Sequence, residues 1–426
     1  MKYNQNAKIE QLTEETLIVG VDIASRAHYA RAFDCRGIEY GEVLRFTNDL
    51  EGFETLHEWL QKLCIEHGKD HVVMGMEPTG HYWFNLAEYA LRCGLELALV
   101  NPFHVKCCKE LDDNTPTKND RKDPKTIAML VKDGRYATPY LPEGVYGELR
   151  TAMTSRRRIL KQLNVVKNQV RRWLDIYFPE FGSVFACWEG KTALTSLRKC
   201  PIPAMVLELG IEGIVQHWKD AGIRVGIKRA SRLYGVAGRS IGTSQGLEAA
   251  CMELHMLLDE HSLLKLQEQQ LMVLVEELLQ KLPESRELLK IKGVGLVTVA
   301  GFLAEVGDIS RFASPKQIQK YAGLNLKENS SGKHKGRTTI SKRGRKGLRA
   351  LLFRGVMPLV ATNDEFKELH KHYTTRAVNQ LTKKQSLIAL ACKLIRVFYA
   401  MITKNVPYDG EKMMQDIQRP GLQVVA

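Results

Sequence analysis

Two aspartates three residues apart, Asp120 and Asp123, stand in T-K-N-D-R-K-D-P-K-T-I (117–127), flanked by Lys118, Arg121, Lys122 and Lys125. On its own, D-x-x-D in a basic stretch reads as charge neutralisation on a solvated surface. Two further carboxylates add a second reading. Asp22 interrupts the β-branched run L-I-V-G-V-D-I-A (17–24), where a charge without a partner is costly. Glu77 closes the strand-like run V-V-M-G-M-E-P-T-G, which Pro78 and Gly80 stop. If Asp120 and Asp123 open a helix, their spacing puts them about one turn apart on one face. Four carboxylates at one sheet edge would repel each other unless cations lay between them, and hard oxygen donors suit Mg²⁺ or Mn²⁺. Two such ions roughly 4 Å apart can stabilise the attacking and leaving oxygens of a phosphodiester displacement. The flanking bases would then meet a nucleic-acid backbone.

A second chemical feature lies near the other end. S-G-K-H-K-G-R-T-T-I-S-K-R-G-R-K-G-L-R-A-L-L-F-R (331–354) holds nine Lys or Arg and no acid. A solvated face normally mixes signs, so Lys333, Lys335, Arg337, Lys342, Arg343, Arg345 and Lys346 are candidate phosphate contacts. A serine hydroxyl beside Lys333, His334, Lys335 and Arg337 could attack phosphorus while the cations stabilise charge on the phosphoryl oxygens. On the residues alone, two serines before a glycine read first as a turn.

The elements that must position these groups follow from periodicity. Apolar or alternating runs predict strands at 17–24, 28–34, 43–46, 72–77 and 95–102, with helices through Phe53–Leu63 and Leu86–Cys93 between them, an α/β sheet. From 146 to 178 the apolar residues recur near every 3.5 positions, and 247–282 repeats the pattern, with His261 and Glu268 interrupting the seam. The two helices could pair as a hairpin within the chain or as a coiled coil between chains. Between them, 183–246 reads as a small mixed insert, an accessory RNA-facing or packing module, with Trp188, Trp218 and Tyr234 favoured as core over a base-stacking surface. In L-L-K-I-K-G-V-G-L-V-T-V-A-G-F-L (288–303) a G-V-G turn joins two apolar helices, a helix-hairpin-helix-like form in which Gly293 and Gly295 serve a tight turn or the approach of backbone amides to phosphate. Leu348–Leu352 begins a further helix after Gly344. The domains expected are 1–145, 146–284 with its insert at 183–246, and 285–426.

Composition bounds the class. The 426 residues are 44% apolar and 26% charged, an ordinary globular balance for two or three domains. Lys and Arg number 62 against 48 Asp and Glu, and the net charge of +14 points to a polyanionic partner. The N-terminal M-K-Y-N-Q-N-A-K-I-E has no apolar signal core, and no uninterrupted apolar run approaches the roughly 18 residues of a spanning helix, which favours nucleic acid over membrane and a cytoplasmic location. Nine cysteines without a C-x-x-C pair argue against a zinc ribbon or a disulfide framework.

The ordered motifs V-G-V-D-I-A, G-M-E-P-T-G-H-Y-W, N-P-F-H-V-K, K-N-D-R-K-D-P-K-T-I-A, Y-F-P-E, I-K-G-V-G, F-A-S-P-K-Q-I-Q-K-Y-A-G-L and S-S-G-K-H-K-G-R-T-T-I-S-K-R-G resemble the DEDD-type insertion-sequence transposases. These are relatives of the Piv invertases, understood as bridge-RNA-guided recombinases. The resemblance covers nearly the whole chain except 183–246. It implies a RuvC-like, RNase H-like N-terminal domain, a coiled-coil region and a mainly helical C-terminal transposase domain. It places Asp22, Glu77, Asp120 and Asp123 on the family's metal-binding tetrad, for Mg²⁺ or Mn²⁺. It also implies a nucleophilic serine followed by glycine, matched by Ser331, with Ser330 the rival because the register differs by one when counted from the two sides.

What the resemblance implies about mechanism is recombination through a covalent phosphoserine link, with the serine of one subunit and the metal site of another forming a composite centre. The partners would be donor and target DNA, a guide noncoding (bridge) RNA that selects both by base pairing, and further copies of the chain in a dimer or tetramer associated with the nucleoid during reaction. Two other readings stand beside it. One is a RuvC-like junction-resolving nuclease with water as nucleophile, and the other a nucleic-acid-binding architectural protein whose acidic cluster is structural.

Overall fold

The structure is a computed structural model that describes residues 5–112, 122–224, 226–327, 330–331, 334–335 and 338–418; for 109–112, 330–331, 334–335 and 416–418 only the backbone is described. The chain forms two compact units, 1–141 and 142–426.

The first unit is a six-stranded mixed sheet. After a short helix α1 (Gln5–Glu10) come β1 (Thr16–Asp22), β2 (Ala27–Phe33), β3 (Glu39–Thr47), α2 (Leu50–His67), β4 (His71–Met76), α3 (Trp83–Arg92), β5 (Glu96–Val100), α4 (Pro102–Asp112), α5 (Asp123–Lys132) and β6 (Tyr136–Ala137). The spatial order is β3-β2-β1-β4-β5-β6. The hairpin strands β2 and β3 run antiparallel to their neighbours, β4 and β5 run parallel to β1, and β6 closes the edge antiparallel to β5. Strand alternation splits β1 between two cores. Leu17, Val19 and Val21 face α2 and α3, through Phe53, Leu56, Leu60, Trp83 and Leu86. Ile18 faces the other way, with Val73, Ala98, Val105 of α4 and Ile127, Ala128 and Val131 of α5. Helix α2 is bounded by Asp49, whose carboxylate accepts from the Gly52 N–H at 2.9 Å, and by Gly68 in the left-handed region.

The second unit is mostly helical. Helices α6 (Gly144–Tyr177) and α11 (Leu247–Gln280), 34 residues each, pair within the chain. Trp173 Nε1 donates to the Ala250 carbonyl at 2.8 Å and Arg156 meets Glu268 at 2.9 Å, and the Tyr146 hydroxyl donates at 2.6 Å to Glu284, just beyond the end of α11. Rising numbers on one helix against falling numbers on the other make the pair antiparallel. Both interruptions of the seam have partners. Glu268 binds Arg156, and buried His261 meets Glu189 at 3.0 Å, which also receives Lys167 at 2.7 Å. Burial alone would raise the Glu189 carboxyl, but hydrogen bonds from Lys167 and His261 more than offset this and hold it below the usual range.

The segment between the long helices is helical among the described residues, not mixed: α7 (Phe181–Val184), α8 (Lys191–Lys199), α9 (Pro203–Asp220, kinked at Gly210) and α10 (Ile227–Ala237). Trp188 and Trp218 are core, Trp218 donating to Ser196 Oγ at 2.9 Å, whereas Tyr234 is exposed. Phe181, Phe185, Leu197 and Trp218 share one apolar core with Val170, Trp173, Leu254 and Leu258 of the long helices, so this segment is no detachable module.

Beyond α11 come α12 (Pro283–Leu289), α13 (Leu296–Val306), a 3₁₀ turn (Ile309–Arg311), α14 (Pro315–Tyr321), the two-residue strands β7 (Leu326–Lys327), β8 (Ser330–Ser331), β9 (His334–Lys335) and β10 (Thr339–Ile340), then α15 (Lys346–Thr362), α16 (Asp364–Thr375), α17 (Lys383–Lys404) and α18 (Gly410–Gln418). In the turn between α12 and α13, a Cβ on Gly293 would sit 2.5 Å from Thr362 Oγ1 and 3.1 Å from Leu359 Cα, and its φ is 92°, so close packing on α15 accounts for this glycine. Helix α17 is long and apolar enough to cross a membrane by composition, an apolar stretch that counting uninterrupted runs passes over. Its Leu390, Leu394, Ile395 and Phe398 are fully buried in the core of this unit.

Candidate active site

In the first unit, two of the four expected carboxylates occupy matching places. The parallel β1–β4 ladder runs from Thr16 opposite His71 to Val21 opposite Met76. Asp22 and Glu77 are therefore the next pair, at the carboxyl ends of adjacent strands, and both are partly buried. By alternation they share the α5 face with Ile18, Gly20, Val73 and Gly75.

Two glycines bring α5 down on that face. A Cβ on Gly20 would lie 1.8 Å from the Pro124 carbonyl oxygen and 2.8 Å from the Ala128 nitrogen, and one on Gly75 would lie 2.5 Å from Val131 Cγ2. The first turn of α5 thus rests on β1 two residues before Asp22, and Asp123 is the first residue of that helix, at the same edge. A carboxylate there also suits the helix N-terminus. Asp120, with Lys118 and Arg121, lies outside the described residues. Lys122 is exposed at the helix N-cap. Among the described residues no three His, Cys, Asp or Glu side chains form a metal cluster by themselves. The donor set is all carboxylate oxygen, which suits a hard divalent cation.

The loop after Asp22 is held from beneath. The buried His28 of β2 accepts from the Ala24 N–H through Nδ1 at 3.2 Å, packs edge-on against Phe46, and has Nε2 without a hydrogen-bond partner. Asn48 donates to the carbonyls of Arg26 (3.0 Å, backbone) and Ser25 (3.3 Å, side chain). Burial pushes the His28 imidazole below its ordinary range, and the Asn48 side chain acts in the opposite sense.

In the second unit the serines ride on a ribbon. Leu326 pairs with Ile340 and Lys327 with Thr339 at its base, and farther out Ser330 pairs with Lys335 and Ser331 with His334. Lys333 and Arg337 lie outside the described residues, and for Ser330, Ser331 and Lys335 the backbone alone is described. The basic loop that follows is pinned to the end of α14. Ser341 donates to the Asn325 side chain at 2.7 Å, Lys342 N–H to the Gly323 carbonyl at 3.0 Å, and Arg345 N–H to the Tyr321 carbonyl at 2.7 Å. Lys342 adopts a left-handed φ of 56°. A Cβ on Gly344 would fall 2.4 Å from the Tyr321 oxygen.

Lys342, Arg343, Arg345 and Lys346 are all exposed, but Arg345 Nε also donates to Glu305 at 2.9 Å, so a phosphate would compete with that carboxylate for it. Sequence reasoning missed Arg349, whose Nη1 donates to the carbonyls of Ala322 (3.0 Å) and Lys342 (3.1 Å) and ties the loop down. It also missed Gly20 and His28. A glycine inside a strand pattern signals a close backbone approach, whereas nothing local marks Arg349 among nine bases.

A sheet of this order with carboxylates at the ends of its central strands is consistent with an RNase H-like domain of the DEDD class. A transposase family profile of the DEDD type named for IS110 matches residues 19–179, and a second, described as Transposase IS116/IS110/IS902 family, matches 285–371. Together they span more than half of the chain, and the chain belongs to the IS110 family of transposases, DNA-processing enzymes of insertion sequences. Its relatives include a pilin gene-inverting protein of Moraxella bovis, 25% identical over 92% of this chain and 97% of the relative. Others are a mini-circle putative transposase for IS117 from Streptomyces coelicolor, 26% identical over 75% and 78%, and a transposase for insertion sequence element IS1111A from Coxiella burnetii, 30% identical over 28% and 32%.

Proposed function

We propose that this transposase recombines donor and target DNA by joining a strand covalently to Ser331, with Asp22, Glu77, Asp120 and Asp123 holding divalent cations, and that a noncoding RNA of the element selects the DNA. The observation that carries the reading is the placement of Asp22 and Glu77 as the next pair of a parallel ladder, with Asp123 opening the helix packed on Gly20. Magnesium or manganese bound there would supply Lewis acidity at the phosphoryl oxygens and lower the cost of forming an oxyanion. The carboxylates orient that charge. The serine Oγ attacks phosphorus and gives up its proton, the strand's P–O bond breaks, and the strand leaves with a hydroxyl end. Attack by the hydroxyl of the exchanged strand on the phosphoserine reverses the step and frees the serine. The cations of the 342–346 loop hold the backbone in place, while base pairing to the RNA selects sequence.

The test is recombination between donor and target plasmids, with and without the element's noncoding RNA. The reading expects no product without RNA, none from Ser331→Ala, and product from Ser330→Ala. A mixture of Asp22→Ala and Ser331→Ala proteins should regain product, because each subunit supplies the half the other lacks. Product without RNA removes the guide, and a mixture that stays inactive removes the composite centre. Metal-dependent cleavage untouched by either serine change would leave the water-using nuclease.

A further inference from the structure

The segment between the long helices lies outside both family matches and has no part in the chemistry above. From Ala221 to Leu247 it contains Arg224, Lys228, Arg229, Arg232 and Arg239 and no acid. Helix α10 turns Ala230, Leu233, Val236 and Ala237 inward, all buried. Lys228, Ser231, Arg232 and Gly235 are exposed on the opposite face, and helical backbone at Gly238 carries Arg239 along the same side. Around Gly235 no atom lies within 4 Å of where a Cβ would be. The centre of this face is thus small residues, and its flanks are cations.

Among the described residues none of the five cations is in an ion pair. Arg232 donates to the Ser183 carbonyl, Arg229 lies over the Phe185 ring at 5.9 Å, and Arg239 acts on Glu180. The acids of the neighbourhood are Glu208, Glu212 and Asp220, exposed on the packed neighbour α9, and Glu180, beside Arg239 at the end of α10. A solvated helix normally mixes signs along its own length, and α10 contributes cations and no acid.

We infer that the outward face of α10 binds the phosphate backbone of double-stranded DNA. The shape favours that occupant. Low relief lets the helix axis approach a duplex, and the B-form major groove admits an α-helix, whereas the A-form groove of RNA does not. One exposed aromatic, Tyr234, is too few for a stacking platform on single strands. The inference is independent of the metal and serine assignments, because it is read by binding and not by recombination.

The experiment measures binding of the full chain, without guide RNA, to a 30-base-pair DNA duplex and to an RNA duplex of the same length over a range of salt. Lys228→Ala, Arg232→Ala and Arg239→Ala together should flatten the DNA salt slope by about 2.7, since each phosphate contact contributes about 0.9. The RNA slope should hardly move. Gly235→Glu is the second variant. It raises helix propensity, so thermal stability should hold or rise, while a carboxylate set among phosphates should weaken DNA binding by about fivefold or more. An unchanged DNA slope with unaltered affinity for Gly235→Glu overturns the inference. An equal or larger loss on the RNA duplex also overturns it and makes the face an RNA surface.

Discussion

The carboxylate edge and the serine ribbon stand on supports of opposite kind. Asp22 and Glu77 end the central strands of a sheet covered on both faces, and α5 is seated on β1 so closely that Gly20 has no room for a methyl group. Ser331 lies on a two-residue strand, and the side-chain bonds described beside the ribbon are those of its base: Arg349 bridging Ala322 and Lys342, and Ser341 on Asn325. The contrast is between an edge whose support is close tertiary packing and a ribbon whose described support is its own short pairing and the loop that follows it.

The largest effect should come from the carboxylate edge. Asp22→Ala or Glu77→Ala should lower recombination about a thousandfold or more, because each would remove an oxygen donor from the proposed metal-assisted step. Duplex binding and its salt slope should remain near those of the parent, since the basic surfaces are intact. Recombination at parental rate by either variant would take that residue out of the site and the edge out of the comparison.

Next in size is the support itself. Gly20→Val should destabilise the first unit by about 3 kcal/mol, since the side chain would overlap the Pro124 carbonyl and the backbone has to give. Gly295→Ala in the second unit meets nothing within 4 Å and should change stability by no more than about 0.5 kcal/mol. Hydrogen exchange of β1 and α13 amides separates the two. Equal protection in both variants would mean that α5 is not seated on β1 as described.

The ribbon's base can be sharpened through salt dependence. Replacing Lys342, Arg343 and Lys346 by alanine should flatten the slope of duplex binding by about 2.7, whereas Arg345→Ala alone should change it by less than the roughly 0.9 of a full contact, because Glu305 already holds it. Arg349→Ala should reduce the slope without removing a phosphate contact, by releasing the loop. A full-size effect for Arg345 would show that DNA displaces Glu305.

The smallest effect is one of pH. Burial depresses the His28 imidazole, so as pH falls below about 6.5 the unfolded chain takes up a proton that the folded one refuses. The stability from this group is complete above that value and is lost as pH falls towards the folded-state value. Protection of β1 amides should therefore decline between pH 7 and pH 5, and His28→Gln should flatten the decline. A decline that is identical in both proteins would assign it to other groups.

The strands were legible because buried β-branched runs are local signals, and the place of Glu77 at a strand end followed from where Pro78 and Gly80 stop the chain, whereas Asp22 read as lying inside the run 17–24 and in fact ends β1. The long helices were legible for the same reason, but their partner was not, since a heptad seam is satisfied equally well within a chain and between chains. His261 and Glu268 read as flaws because Glu189 and Arg156 lie 72 and 112 residues away. The ribbon β7–β10 escaped notice because two-residue strands have no periodicity to detect. The helical character of 183–246 was hidden by short helices whose apolar residues complete a core supplied partly by α6 and α11.

The central claim, that a serine on the ribbon takes the strand while the carboxylate edge assists, is tested most directly by trapping. Labelled donor DNA is incubated with the chain, the proposed noncoding RNA and Mg²⁺, denatured, and resolved on a gel, and the DNA-bearing peptide is identified by mass spectrometry. The account predicts a covalent protein–DNA species with a nucleotide remnant on Ser331, absent from Ser331→Ala and from Asp22→Ala. Cleaved DNA with no covalent species, or a remnant that persists in Ser331→Ala, would contradict it.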